Sequence, residues 1–132
     1  MSLWRRQALA ELPELRSVVE GAPTIMSLWS ELESRLSAAY DEHPPDEQMI
    51  RQIYRHAVST FEASPSAEAR TAVIVAFFEH LPTHPSVRSD LHRWLQPDLF
   101  HQLEHAFRYF LSPGEFEEFV REYRTHRAAW LG

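Results

Sequence analysis

The chain contains no cysteine, which excludes disulfides, thiolate nucleophiles and cysteine-held metals. That fits a reducing compartment, and the cytoplasm is the expected location. Lysine and asparagine are also absent, so all 13 basic residues are arginine. Both missing residues have AT-rich codons, so the bias reads as GC-rich coding DNA. Only three glycines occur, and none belongs to a Gly-rich turn that could cradle a phosphate. The nucleophile-elbow pattern G-x-S-x-G does not occur. The longest apolar run, "AVIVAFF" at 72–78, is far shorter than the roughly 20 residues that span a bilayer, so no membrane partner is expected. Arg5 and Arg6 adjoin, but Glu11, Pro13, Glu14 and Arg16 interrupt the apolar stretch that an export signal would need. With a formal charge of −6 and no basic stripe, the composition argues against a nucleic-acid partner.

What is present suffices for a core. Hydrophobic residues make up 44% of the 132. A chain of this length reads as one domain, 1–132, and buries roughly two-thirds of its unfolded surface without staples. Apolar residues recur at spacings of three and four along nearly the whole sequence, which predicts helices. The first spans 2–20 and is kinked or split at Pro13, whose ring clashes with the carbonyl four residues back. Residues 24–40 form the next, capped by Thr24, followed by the loop "DEHPP". Helix 45–62 opens on Asp46 and Glu47, acids suited to the positive end of a helix dipole.

Ser64-Pro65 predicts the start of helix 65–81. Being apolar all round over 72–78, this helix is expected at the centre of the molecule with nearly every side chain covered. Helices over 85–95 and 97–111 follow. The last helix carries the clearest start: Ser112, Pro113 and Glu115 supply a cap, a first-turn proline and a capping-box acid. The expected fold class is therefore all-α, a compact bundle of six or seven mostly antiparallel helices around the central apolar helix 65–81. The four tryptophans, at 4, 29, 94 and 130, each fall on an apolar stripe and are expected in the core. Trp4 and Trp130, near the ends, are alternatively anchors for a partner or a second copy.

Two patterns suggest metal chemistry. "HQLEH" places His101, Glu104 and His105 in the H-x-x-E-H form of an inverted zinc-protease signature. Its histidines, however, fall opposite the stripe of Leu99, Leu103, Ala106 and Phe110, so they are expected on a wet face. The second pattern depends on topology. In an antiparallel bundle the loops after helices 24–40 and 65–81 emerge at the same end. His43 and Asp41 would then meet Glu79, His80 and His84, a donor set suited to zinc or iron. Neither pattern is complete, and no cofactor is expected. Glu31 with Arg35, Glu47 with Arg51, and Glu117 and Glu118 with Arg121 have the spacing of helix-surface ion pairs.

The segment "ARTAVIVAFFEHLPTHPSVRSDLHRWLQPDLFHQLEHAF", 69–107, resembles a family of small bacterial all-helical proteins of unknown function. The matching features are the helix end Phe77 or Phe78, Glu79 and Leu81, the turn Leu95-Gln96-Pro97, and upstream "LPEL", 12–15. Gln96 stands where the family pattern has glycine. The resemblance implies a helical fold, no catalytic residues, and a binding role of the kind immunity proteins play.

Three functions follow as expectations. The first is a protein-binding module without catalysis, in which Asp41, Glu42, Asp46 and Glu47 meet a basic partner. The second is a metal-dependent enzyme built on the two-loop histidine cluster. The third is a self-associating bundle, such as a homodimer.

Overall fold

A computed structural model describes all residues, 1–132. The fold is all-α, with nine α-helices, three short 3₁₀ segments and no strand. Pro13 splits the first predicted helix as expected. α1 (Leu3–Glu11) ends ahead of it, a 3₁₀ turn holds Pro13–Leu15, and α2 (Arg16–Gly21) follows. Arg5 closes this hairpin by donating to the carbonyls of Val19 at 2.6 Å and Ala22 at 2.9 Å, at the C-terminal end of α2.

α3 (Ile25–Asp41) and α4 (Glu47–Ala63) are the two long helices of the first half. Thr24 caps α3 by accepting from the Ser27 amide, and Ser27 returns the bond to the Thr24 amide. Asp46 caps α4 by accepting from the Met49 amide. Between the two helices the chain turns back on itself, with the Asp46 amide donating to the Ala39 carbonyl at 3.0 Å.

The predicted helix 65–81 is shorter and less covered than expected. α5 runs Ala67–Ala76, capped by Ser66 rather than Ser64, and passes into a 3₁₀ segment, Phe78–Thr83. Pro82 accounts for the change, since an α-helix through it would press the ring on the Phe78 carbonyl. The unwinding lets the adjacent Phe77 and Phe78 both point inward. Ala72, Val73 and Ala76 are buried, but Val75 is 40% exposed and Ile74 only partly covered. α5 packs against both α3 and α4, so it is internal on one side only.

The second half is built from short pieces. α6 (Pro85–Asp90) continues into a 3₁₀ turn, Leu91–Arg93. The predicted helix 97–111 breaks at Leu103 into α7 (Pro97–Gln102) and α8 (Glu104–Phe107). α9 (Pro113–Leu131) starts on the predicted capping box of Ser112 and Glu115. One hydrophobic core connects all these elements, centred on Trp29, Tyr54, Phe77, Phe78, Phe107 and Phe119. Trp29 is fully buried, Trp4 and Trp94 are half-covered, and Trp130 is 52% exposed, contrary to its predicted core position.

Candidate functional site

The chain from Phe77 to Asp90 runs alongside α3 in the same direction. Three contacts establish the register: Trp29 against Phe77, Glu33 with His84, and Tyr40 with Asp90. Asp90 therefore arrives at the C-terminal end of α3, beneath loop 42–46, and becomes the centre of a polar network. Its carboxylate accepts from the Tyr40 hydroxyl at 2.6 Å, from Trp94 Nε1 at 3.1 Å, and from Arg93 Nε and Nη2 at 2.6 and 2.8 Å. Arg93 also donates to Glu47 at 2.8 Å, at the start of α4. The network thus ties α3, α4 and the 91–93 turn together. Trp94 stacks on buried Tyr54 with ring centroids 5.4 Å apart, and the Arg93 guanidinium lies over Trp94.

The electrostatics follow from this crowding. Burial pushes the Asp90 carboxyl up, but the hydrogen bonds from Arg93, Tyr40 and Trp94 outweigh it and hold it below the ordinary carboxylate value. Burial, the neighbouring Tyr54 and the bond to Asp90 push the Tyr40 hydroxyl far up, so it stays a donor. The lowered carboxyl favours an ionised Asp90 with four donors, and its network reaches Tyr40 before loop 42–46 and Glu47 after it.

On that base the four predicted recognition acids divide. Asp41 and Glu42 are exposed. Asp46 is spent on the α4 cap, and Glu47 is held by Arg93 rather than by the predicted Arg51. Glu31 does pair with Arg35, at 3.0 Å.

The predicted two-loop metal cluster does not assemble. No group of three or more histidine, aspartate or glutamate side chains lies close enough to hold an ion. The physical reason is register. His84 meets Glu33 in the middle of α3, and Asp41 lies eight residues further on, about 12 Å at 1.5 Å per residue. The two loops therefore do not share an end, and His43 stays exposed beyond Asp41. His80 packs against Phe110 instead, with centroids 4.8 Å apart and planes tilted by 37°. Partial burial raises the Glu79 carboxyl, against the pull of His80 and His105. In "HQLEH", His101 and His105 are exposed, and the break at Leu103 interrupts the helix between them.

A second buried polar group, unpredicted, joins α1 to α4. His56 is buried and stacks on Trp29 with centroids 5.1 Å apart, while its Nδ1 lies 3.1 Å from Glu11. Ser59 donates to the other oxygen of Glu11 at 3.2 Å. Burial lowers the His56 pKa, and Glu11 opposes the shift. The signal for this group is the i, i+3 pair His56 and Ser59 on the face of α4 that α1 covers.

Comparison of the chain with protein-family models, curated proteins and solved structures gives no match.

Proposed function

We propose that the chain acts by binding another protein, in the manner of an immunity-type module, through the acidic loop that follows α3. One observation carries this reading: Asp41 and Glu42 stand exposed on a loop whose base is fixed by the Asp90 network and by the Asp46–Ala39 backbone bond. A braced loop presents its charges with little ordering cost on association. The net charge of −6 favours encounter with a basic partner and makes it salt-sensitive. The reading keeps the protein in the cytoplasm, as the absence of cysteine suggests. Retention of proteins from lysate of the source organism tests it, at low and high salt, beside an Asp41→Ser/Glu42→Ser variant. A basic protein retained at low salt by the parent and lost by the variant supports the proposal. An identical retained set, or none, rejects it.

Self-association is the second reading, favoured by a separate observation. Tyr109 and Phe110 are 70% and 48% exposed, and Trp130 adds a further exposed aromatic. Aromatic residues of this kind dominate interface energetics. Light scattering across protein concentration decides it: a mass that stays monomeric removes this reading.

A further inference from the structure

The last turns of α9 lie over residues 91–96, and the seam holds two imidazoles. His92 and His126 face each other with ring centroids 5.5 Å apart and planes inclined by 56°. The Nδ1 atom of each is buried and has no hydrogen-bond partner. Trp130, one turn beyond His126, sets its ring edge against His92 at 5.8 Å. Arg127 lies over the Trp130 ring, and its Nη1 donates to the His92 carbonyl at 3.0 Å while Nη2 donates to Gln96 at 2.9 Å. The Tyr123 hydroxyl donates to the Leu95 carbonyl at 2.6 Å. The attachments of this end of α9 to residues 91–96 thus cluster around the histidine pair.

We infer that this seam is an acid-sensitive latch: protonation of His92, packed against His126, frees the C-terminal turns of α9 from residues 91–96.

Neutral imidazoles pack here without penalty beyond their unpaired nitrogens. Charged ones do not, for two reasons. A protonated His92 carries N–H on both ring nitrogens, so its buried Nδ1 becomes part of a cation without an acceptor. A cationic His92 would also sit in a seam that already holds Arg93 and Arg127. The nearby carboxylates are committed elsewhere. Asp90 has its four donors, Glu47 is held by Arg93, and Glu122, one turn before His126, is held by Arg88 at 2.7 Å. Beside the seam, His101 and Glu104 line a groove with Arg124 and Arg127. Burial lowers the His92 pKa, Asp90 pulls it up, and His126, Arg93 and Arg127 push it down, with a net lowering. The docked state therefore favours neutral His92. Its contribution is complete above the ordinary histidine value near 6.5 and is lost as pH falls through the lowered docked value. Freed of the seam, the end of α9 is a short helix without packing and frays. Tyr123 then ceases to cover Phe100, on which it stacks at 3.8 Å.

Amide hydrogen exchange of the full chain tests the latch, at about pH 7.5 and about pH 5.5, either side of the ordinary histidine pKa, with intrinsic rates corrected for pH. Protection over residues 122–129 should fall by roughly tenfold or more at the lower pH, while residues 47–63 of α4 keep theirs. A His92→Gln/His126→Gln variant, neutral at both pH values, should lose no protection on acidification. Equal protection of 122–129 at both pH values in the parent overturns the latch, as does an equal loss in the variant or a parallel loss over 47–63. Should the double variant fail to fold, NMR titration of the parent decides. His92 ring shifts and α9 amide shifts must follow one curve, and a His92 that titrates while α9 amides stay fixed overturns the proposal.

Discussion

Asp90 illustrates what one residue can do when elements converge on it. Two of its partners, Arg93 and Trp94, follow at i+3 and i+4, a spacing visible in the sequence. The third, Tyr40, lies 50 residues away, and only the parallel course of 77–90 along α3 brings it in. Removing the carboxylate strands four donor groups on three residues in a partly buried place. Asp90→Ala should destabilise the fold by roughly 2–4 kcal/mol, the range for breaking a buried charged network. Asp90→Asn, which keeps the shape and loses the charge, should cost less than Asp90→Ala. Urea denaturation of the two variants checks the order, and a near-neutral Asp90→Ala would show that the network contributes little. Trp130 makes the complementary point. Its spacing fits the inner stripe of α9, but the ring meets His92 and Arg127 at the edge of the seam and remains half exposed.

At the scale of elements, the sequence signals that proved reliable are the ones written in local chemistry. Thr24 and Ser112 cap where expected, and Asp46, expected only as a first-turn acid, caps α4 as well, because a side-chain oxygen satisfying the first amides depends on nothing distant. Thr24→Ala should cost roughly 1 kcal/mol, read as a melting shift of about 3–5 °C by calorimetry. A melting point equal to the parent's would show that the reciprocal bond with Ser27 adds nothing. The break at Leu103 was not legible, because no proline or glycine marks it and leucine favours helix. Packing sets it instead, with buried Leu103 donating to the carbonyls of both Leu99 and Phe100. The coverage of α5 was overestimated for a related reason. The uncharged run 72–78 gives no periodicity to orient, and over half of a folded surface is apolar in any case. Val73 and Val75 separate the two faces. Val73, fully buried, should not tolerate aspartate, and circular dichroism of Val73→Asp should show loss of the cooperative transition. Val75→Asp should fold and shift stability by no more than about 0.5 kcal/mol, as exposed substitutions do. Two variants that unfold alike would place Val75 inside.

For the whole molecule, helix class and core were legible, because the sum of periodic stripes needs no knowledge of how helices meet. Register was not. The metal cluster of His43, His80, His84, Asp41 and Glu79 depended on two loops sharing an end, and the 3₁₀ segment at Phe78–Thr83 brings His84 beside Glu33 instead. The same gap hid the two places where histidines are covered, since the burial of His56 and the partial burial of His92 arise from α1 and α9 closing over them. These two make the global pH response predictable. Burial lowers the pKa of His56 against Glu11, and lowers that of His92 with help from His126, Arg93 and Arg127. A histidine whose folded pKa is lowered binds its proton more readily in the unfolded chain. Its contribution to stability is therefore full above the unfolded value near 6.5 and declines as pH falls below it through the lowered folded value. Both act in the same direction, so the urea midpoint should be flat from about pH 8 to 7 and fall steadily toward about pH 5. His56→Gln should flatten part of that decline while costing some stability at neutral pH, where the Trp29 stack and the Glu11 contact are disturbed. Over the same interval, protonation of all eight histidines would move the formal charge from −6 to +2, and the sequence pI of 5.7 lies between. Solubility should therefore pass through its minimum near the pI, while chains already less stable expose more apolar surface. Denaturation and solubility measured on one pH series separate the two effects. A midpoint that stays constant down to about pH 5 would mean that neither His56 nor His92 is coupled to folding.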